Sequence, residues 1–257
     1  MIFDSHAHMD TEEFNEDRAE VLERIHSGKI SYVLNPGVDL TSSRDAVKLA
    51  EEYPWIYAAV AYHPHETRHL SLDILDEIEA LAAHPKVKAI GEIGLDYYWD
   101  HSPRDLQQFW FRQQIRLAEK LEMPIIIHDR EAHGDIYQIL MEESAFDKIK
   151  VLFHCYSGSA EFAKQLREKD CYFSIAGPVT YKNNKKAAGI LAEIPLDRML
   201  VETDAPFLTP EPFRGKRNDP SYIDHTVQKV AELKGLSFEE VAAVTCENAK
   251  RFFGIEE

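Results

Sequence analysis

Short apolar runs alternate with amphipathic segments along the whole chain. The runs are rich in β-branched and aromatic residues and have the length of β-strands. They span residues 2–8, 30–36, 56–62, 87–93, 123–128, 150–155, 171–176 and 198–203. Apolar residues recur at helical spacing over 16–27, 41–53, 71–83, 104–122, 133–143, 159–169, 184–193, 221–234 and 237–250. This alternation predicts parallel strands joined by crossover helices.

Eight βα units favour closure into a (β/α)8 barrel of the TIM type, although an open doubly wound sheet stays possible. Helix boundary signals agree with the assignment. Gly28 stands where the first helix should end, and Ser71 and Ser159 are placed as N-caps. Ser237 followed by Glu240 has the spacing of a capping box.

Composition is that of an ordinary globular protein, with 44% hydrophobic and 29% charged residues in 257. We therefore expect one domain over residues 1–257. No apolar run approaches the roughly 20 residues that span a bilayer, and Met1 leads directly into a strand without a signal-type segment. A cytoplasmic protein without a membrane anchor or a stable protein partner is expected.

The cysteine spacing argues against a disulfide-rich or CxxC metal protein, and the net charge argues against a nonspecific nucleic-acid binder. Cys155, Cys171 and Cys246 are odd in number and widely spaced, so neither a disulfide framework nor a CxxC metal site is indicated, and we expect three buried free thiols. The formal net charge of −16 opposes broad nonspecific binding to nucleic acid. A basic loop or bound dications can still reverse the sign locally.

Nitrogen and oxygen donors recur at the carboxyl ends of the predicted strands, which form the catalytic face of a barrel. His6 and His8 share the parity of Asp4 on the first strand. An isolated HxH pair means little, and His63 and His65 form a second one. The repetition across strands is what predicts a metal centre, with the ligands His6, His8, Glu92, His128, His154 and Asp204.

Six ligands exceed what one tetrahedral ion needs and suit two divalent ions that share a carboxylate. We expect Glu92 to bridge. One ion would take His6, His8, Glu92 and Asp204, and the other would take Glu92, His128 and His154. Mixed N and O donors without thiolate fit Zn, Mn, Co, Ni or Fe, and partly Mg, and the sequence does not choose among them.

At these residues the chain resembles the TatD family of metal-dependent hydrolases. The segments FDSHAHMD, AIGEIGLDYY, MPIIIHDR, HCYSGS, LVETDAP and FRGKRNDP occur in order and match that family's signatures over nearly the whole chain. The resemblance implies a TIM-type barrel, a divalent-metal centre held by the six ligands above, and hydrolysis of DNA. It also implies a place for His63 near the substrate phosphate.

The chain departs from classical amidohydrolases, which also begin with HxH but place a carboxylated lysine on the fourth strand. Glu92 stands at that position here, while Lys86 and Lys88 lie at the opposite end of the strand. An amidohydrolase-like or lactonase-like enzyme acting on a small C–N or C–O bond nevertheless remains the alternative, and a noncatalytic protein that kept a metal barrel for stability is a third reading.

For the reaction, Asp204 is predicted both as a ligand and as the general base, and Glu202 as an acceptor that orients a ligand histidine. Arg214 and Arg217, in the long irregular segment after the eighth strand, are predicted to bind substrate phosphates together with His63. His65 is expected at the rim.

Aromatic residues close behind Glu92 are a further candidate for substrate contact. Tyr97, Tyr98 and Trp99 either stack on nucleobases or pack against the barrel rim.

Overall fold

A computed structural model describes residues 1–255 of the chain. The strands are β1 (Ile2–Asp4), β2 (Ile30–Pro36), β3 (Ile56–Val60), β4 (Val87–Asp96), β5 (Ile125–Arg130), β6 (Val151–Phe153), β7 (Tyr172–Ile175) and β8 (Met199–Val201). The α-helices are α1 (Arg18–Ser27), α2 (Leu40–Glu52), α3 (Leu72–Ala82), α4 (Arg104–Lys120), α5 (His133–Glu142), α6 (Ala145–Lys148), α7 (Ala160–Arg167), α8 (Ala187–Glu193), α9 (Ile223–Lys234) and α10 (Phe238–Phe253).

Strands and helices alternate as the hydrophobic pattern predicts. All eight predicted strands are present and belong to one sheet in chain order, β1 to β8. The pairs β1–β2, β3–β4, β4–β5, β5–β6 and β7–β8 are parallel. The predicted (β/α)8 fold class is thereby confirmed.

The chain divides into two compact units. The terminal unit comprises residues 1–35 together with the chain from residue 158 onward, and the central unit comprises residues 36–157. Strands β1, β7 and β8 and most of β2 belong to the terminal unit, while β3 to β6 belong to the central unit.

The terminal unit packs α10 against β1 and β8. The fully buried Phe3 ring lies 5.5 Å from Tyr32 and 5.7 Å from Phe253, measured between ring centroids. Each such fully buried side chain contributes about 1.5–3 kcal/mol by leaving water. The predicted boundaries hold: Gly28 ends α1, and Ser237 forms a capping box with Glu240 at the start of α10.

The central unit packs α4 against β4 and α2 against β3. The Gln114 side chain of α4 satisfies the backbone just beyond β3, accepting from Tyr62 N at 2.7 Å and donating to Tyr62 O at 3.0 Å. These contacts satisfy the buried backbone amide and carbonyl of Tyr62. Ser71 caps α3 as predicted, and in the terminal unit Ser159 caps α7.

Strand ends differ most from the prediction. β1 ends at Asp4 rather than at residue 8, while β4 continues to Asp96 rather than ending at residue 93. β4 is longer because Gly94, Leu95 and Asp96 pair in register with β5. The one-turn helix α6 was not predicted, since four residues are too few to show a helical period.

The expectation of three buried thiols was wrong for one of them. Cys171 and Cys246 are buried, whereas Cys155 is partly exposed in the turn after β6. None of the helices within residues 1–255 is long and apolar enough to cross a membrane.

Candidate metal centre

In the central unit, three predicted ligands converge on one carboxylate oxygen. Glu92 Oε1 lies 2.6 Å from His128 Nδ1 and 2.7 Å from His154 Nε2, and those two nitrogens are 3.4 Å apart. Glu92 is buried, and the histidine side chains are at most slightly exposed. The three donor atoms form a group of the size that holds a metal ion.

Asp96 supports this group from the other side of the His128 ring. Its Oδ2 accepts from His128 Nε2 at 3.0 Å and from His65 Nε2 at 2.8 Å. Burial by itself would raise the pKa of Asp96, but the hydrogen bonds from His128 and His65 hold that pKa well below its usual range. Asp96 is therefore ionised, and it fixes the Nε2–H tautomer that leaves His128 Nδ1 facing Glu92.

Strand register explains why Glu92, Asp96 and His128 meet. Glu92 and Asp96 lie on the same strand, and β4 pairs with β5 so that Gly94 stands opposite His128. Gly94 has φ +146°, and a Cβ built there would lie 2.0 Å from the carbonyl oxygen of His128. Only glycine lets the two strands approach this closely beside the metal ligands.

His63 and His65 follow β3 and complete the central cluster, which we define as His63, His65, Glu92, Asp96, His128 and His154. The His63 ring centroid lies 4.4 Å from that of His128, and His63 Nε2 lies 3.5 Å from Glu92 Oε1. Burial, with the neighbouring His128, lowers the pKa of His63 to about 3. His63 is thus a neutral imidazole.

In the terminal unit, the terminal cluster consists of His6, His8 and Asp204. The Nε2 atoms of His6 and His8 are 3.3 Å apart, and they lie 3.8 Å and 3.5 Å from Asp204 Oδ1. His6 is fully buried and the other two side chains are nearly so. The two histidines that open the chain therefore converge on the carboxylate that follows β8, as the sequence predicts for ligands of one ion.

Backbone hydrogen bonds hold the terminal cluster together although β1 ends at Asp4. His8 N donates to Ala205 O at 2.8 Å, and Asp204 N donates to His6 O at 2.9 Å. Asp4 itself does not point at the cluster: its carboxylate accepts from the Thr203 amide and hydroxyl at 2.9 and 2.6 Å. Burial raises the pKa of Asp4 to about 7. Asp4 ties the end of β8 to β1.

Glu202, predicted to orient a ligand histidine, is fully buried at the end of β8. Its backbone amide donates to Ile175 O at 3.1 Å, which continues the pairing of β7 with β8. Its role in orienting a ligand histidine stays a prediction.

The two arginines predicted to bind phosphate differ in their contacts. Arg217 donates to Asp17 at 2.9 and 2.6 Å and to Glu13 O at 2.6 Å, and it stacks on the Phe14 ring. The exposed Arg214 lies 4.1 Å from the centroid of the Tyr181 ring. Arg217 therefore holds the loop against α1 and the turn that precedes it. Arg214 is the more available of the two arginines for contact with a phosphate.

The donors of both clusters fit a borderline divalent cation. Within the described central unit, two groups of three have the size of a metal site: His63, His65 and His128, and Glu92, His128 and His154. Imidazole suits Zn, Co, Ni and Fe, while carboxylate also admits Mn and Mg. A cation drawing on His128 Nδ1 would also find its ring already oriented by Asp96.

Asp96 and His65 are the residues of the site that sequence reasoning missed. The predicted fourth strand ended before Asp96, and His65 was assigned to the rim. One signal was available: Asp96 is four residues after Glu92, so the two carboxylates share a strand face if the strand continues.

Comparisons with known proteins find relatives over nearly the whole chain. The sequence profile of the family described as "TatD related DNase" matches residues 3–254. The uncharacterized metal-dependent hydrolase YabD of Bacillus subtilis is 48% identical over 255 residues, which cover 99% of this chain and 100% of the relative. The 3'-5' ssDNA/RNA exonuclease TatD of Citrobacter rodentium is 34% identical over 260 residues, covering 99% of this chain and 98% of the relative.

A solved structure agrees with the barrel class. The crystal structure of YJJV, a TatD homolog from Escherichia coli K12, superposes with a TM-score of 0.93 at 27% sequence identity. The match covers 99% of this chain and 98% of that protein. The fold is therefore the TIM-type (β/α)8 barrel that the sequence predicts.

Proposed function

The chain belongs to the TatD-related DNase family of metal-dependent hydrolases, and from this premise we propose that it hydrolyses phosphodiester bonds of DNA with two divalent ions. The observation that carries the proposal is the convergence of His128 Nδ1 and His154 Nε2 on Glu92 Oε1 at 2.6 and 2.7 Å. A relative named as a 3'-5' ssDNA/RNA exonuclease supports nucleic acid as the substrate class.

We assign the ligands to the ions as their clusters suggest. Glu92, His128 and His154 would hold one ion, and His6, His8 and Asp204 would hold the other. Each half of this assignment is supported by donor atoms of the right type within one unit. The ions are Zn, Mn, Mg, Co or Ni.

Bound divalent ions would lower the pKa of water and neutralise charge on the phosphoryl oxygens. The protein's own groups supply position and proton transfer. Asp204 would orient the attacking water and accept its proton. Asp96 would keep the His128 ring in place, and the neutral His63 would donate a hydrogen bond to a phosphate oxygen.

Arg214 and Arg217 would contact phosphates farther along the strand. Arginine suits this task because its planar guanidinium can donate two parallel hydrogen bonds. The Nη1 and Nη2 atoms of Arg217 already donate to Asp17. Arg214, exposed beside Tyr181, is therefore the stronger candidate for direct contact.

The proposal is tested with purified protein, a panel of divalent metals, and end-labelled single-stranded and duplex DNA and RNA. We expect His128→Ala to abolish shortening of the strands, while His69→Ala, which alters an exposed histidine outside both clusters, retains it. Esters, lactones and cyclic amides are assayed in parallel to test the C–N or C–O alternative. Folded, metal-loaded protein that leaves nucleic acids and simple phosphodiesters intact would overturn the proposal.

A further inference from the structure

The loop after β4, residues 97–101, exposes aromatic side chains beside the central cluster, and we call it the aromatic loop. Tyr98 is 51% exposed and Trp99 is 55% exposed. Tyr97 is different: its hydroxyl donates to Asp135 at 2.7 Å, and Arg104 covers its ring. Tyr97 therefore anchors the loop, while the next two rings are presented to solvent.

A continuous series of ring contacts connects Trp99 to the metal ligands. Trp99 stacks on the exposed His101 with a centroid distance of 5.9 Å and an interplanar angle of 3°. The His101 ring lies 4.7 Å from His65, whose side chain is 25% exposed. His65 in turn lies 6.0 Å from the ring of His128. The rings thus lead from open solvent to a predicted metal ligand.

Asp96 fixes the aromatic loop and the histidines with the same carboxylate. Its Oδ1 accepts from the amides of Tyr98 and Trp99 at 3.0 and 2.9 Å, while its Oδ2 accepts from His65 and His128. Because one carboxylate accepts from both, the backbone that carries the exposed rings is held in a set position relative to the histidines.

Arg130 adds a positive charge to this surface. Its guanidinium carbon lies 4.6 Å from the centroid of the Tyr98 ring, and its backbone carbonyl accepts from Tyr97 N at 2.9 Å. A cation stacked on an exposed ring beside a site for phosphoryl chemistry suits a ligand that carries both a flat base and a negative charge.

We propose that Tyr98 and Trp99 form a stacking site for an unpaired nucleobase next to the phosphate held at the central cluster. The proposal rests on the proposed function and adds a contact for the base to the proposed contacts for the phosphate. A base inside a duplex is stacked on both faces and cannot meet these rings unless it leaves the stack.

Binding is measured without turnover, using a fluorescein-labelled oligodeoxythymidine with hydrolysis-resistant phosphorothioate linkages and fluorescence anisotropy. Trp99→Ala should weaken binding about tenfold, the order of loss expected when one stacked base loses its aromatic partner. Tyr98→Ala should act in the same direction. Phe109→Ala removes an exposed aromatic ring of α4 outside the aromatic loop and should leave affinity unchanged.

A matched strand with abasic residues identifies the group that the rings contact. Wild-type protein should bind it about tenfold more weakly than the intact strand, and Trp99→Ala should discriminate less between the two strands. Equal losses for Trp99→Ala on both strands would mean that Trp99 does not contact a base, and the inference would fail while the nuclease proposal stood. Wild-type protein that neither binds nor cleaves any nucleic acid would remove both.

Discussion

The central and terminal clusters carry similar ligands but are held in different ways. In the central cluster, side chains brace one another: Glu92 and Asp96 contact opposite nitrogens of the His128 ring. In the terminal cluster, backbone hydrogen bonds join segments about 200 residues apart in sequence, and one carboxylate, Asp204, serves two histidines at 3.5–3.8 Å.

This difference indicates how much each cluster must be ordered when it binds a metal ion. The central cluster has its ring orientation set by hydrogen bonds before any ion binds, so little ordering remains to be done on binding. In the terminal cluster, hydrogen bonds hold the backbone in place, but the donor side chains are held less tightly. We therefore expect the central site to bind its ion more tightly.

The largest effect should come from Glu92→Gln, because His128 and His154 both converge on Glu92 Oε1. Replacing it removes the carboxylate charge and one oxygen donor from the central site. We expect kcat to fall by on the order of 10³-fold, the scale of losing a positioned electrostatic group at a reacting centre. Metal analysis of the purified protein should find the central ion lost.

Glu79→Gln is the matched control, since Glu79 pairs with Lys120 on the surface. It should keep both metal and activity. A Glu92→Gln protein that retains the metal content of the wild type would show that Glu92 is not a ligand of the central ion.

A smaller and more selective effect is expected from His8→Ala. Loss of one terminal ligand should release one ion and leave the central ion bound, so that metal analysis finds half the wild-type content. Isothermal titration should then show only the tighter of two binding events. Loss of both ions would contradict the difference in bracing between the clusters.

Asp96→Asn tests the bracing itself. An amide can accept from the loop backbone, but its NH2 group then faces the Nε2–H of His128 and favours the other tautomer, whose Nδ1–H points at the metal position. We expect affinity for the central ion or activity to fall about 10- to 100-fold, the usual cost of losing a carboxylate behind a ligand histidine. Isothermal titration measures the affinity.

Asp100→Asn provides the comparison, because Asp100 lies on the same loop but pairs with the exposed Arg104. It should bind metal like the wild type. If the Asp96→Asn and Asp100→Asn proteins bound metal equally well, Asp96 would be assigned a role in folding the loop rather than in orienting His128.

The smallest effect concerns the loop of the terminal unit that carries Arg217. The hydrogen bond and charge of Arg217 lower the pKa of Asp17. A depressed carboxyl pKa means that the pair stabilises the fold above the unfolded pKa, about 3.9, and that this contribution is lost as pH falls through the lower folded value. Because both side chains are about one-third exposed, Arg217→Ala should cost only about 0.5 kcal/mol.

Denaturant unfolding of Arg217→Ala and wild type at pH 7 and at pH 3 measures this. The gap between the two proteins should shrink at the lower pH. A gap that is unchanged or wider at pH 3 would show that the stacking of Arg217 on Phe14, rather than its pairing with Asp17, stabilises the loop.

Much of the molecule follows from local sequence. The eight strands and the caps at Gly28, Ser71 and Ser237 were predicted because periodicity and capping act within a few residues. The six proposed ligands could be predicted because parallel strands bring their carboxyl ends to one face of a barrel, so a repeated donor at that end is visible in the sequence.

Tertiary structure alone decided what each side chain does within that face. The strand β4 extends to Asp96 only because β5 pairs beside it, so no local pattern marked Asp96 as the partner of His128. Likewise, the sequence predicts Arg217 as a phosphate ligand but does not show that it also pairs with Asp17, which is 200 residues away. Hydrophobic period and strand direction are short-range properties, whereas the partner of a polar side chain depends on distant segments that only folding brings into contact.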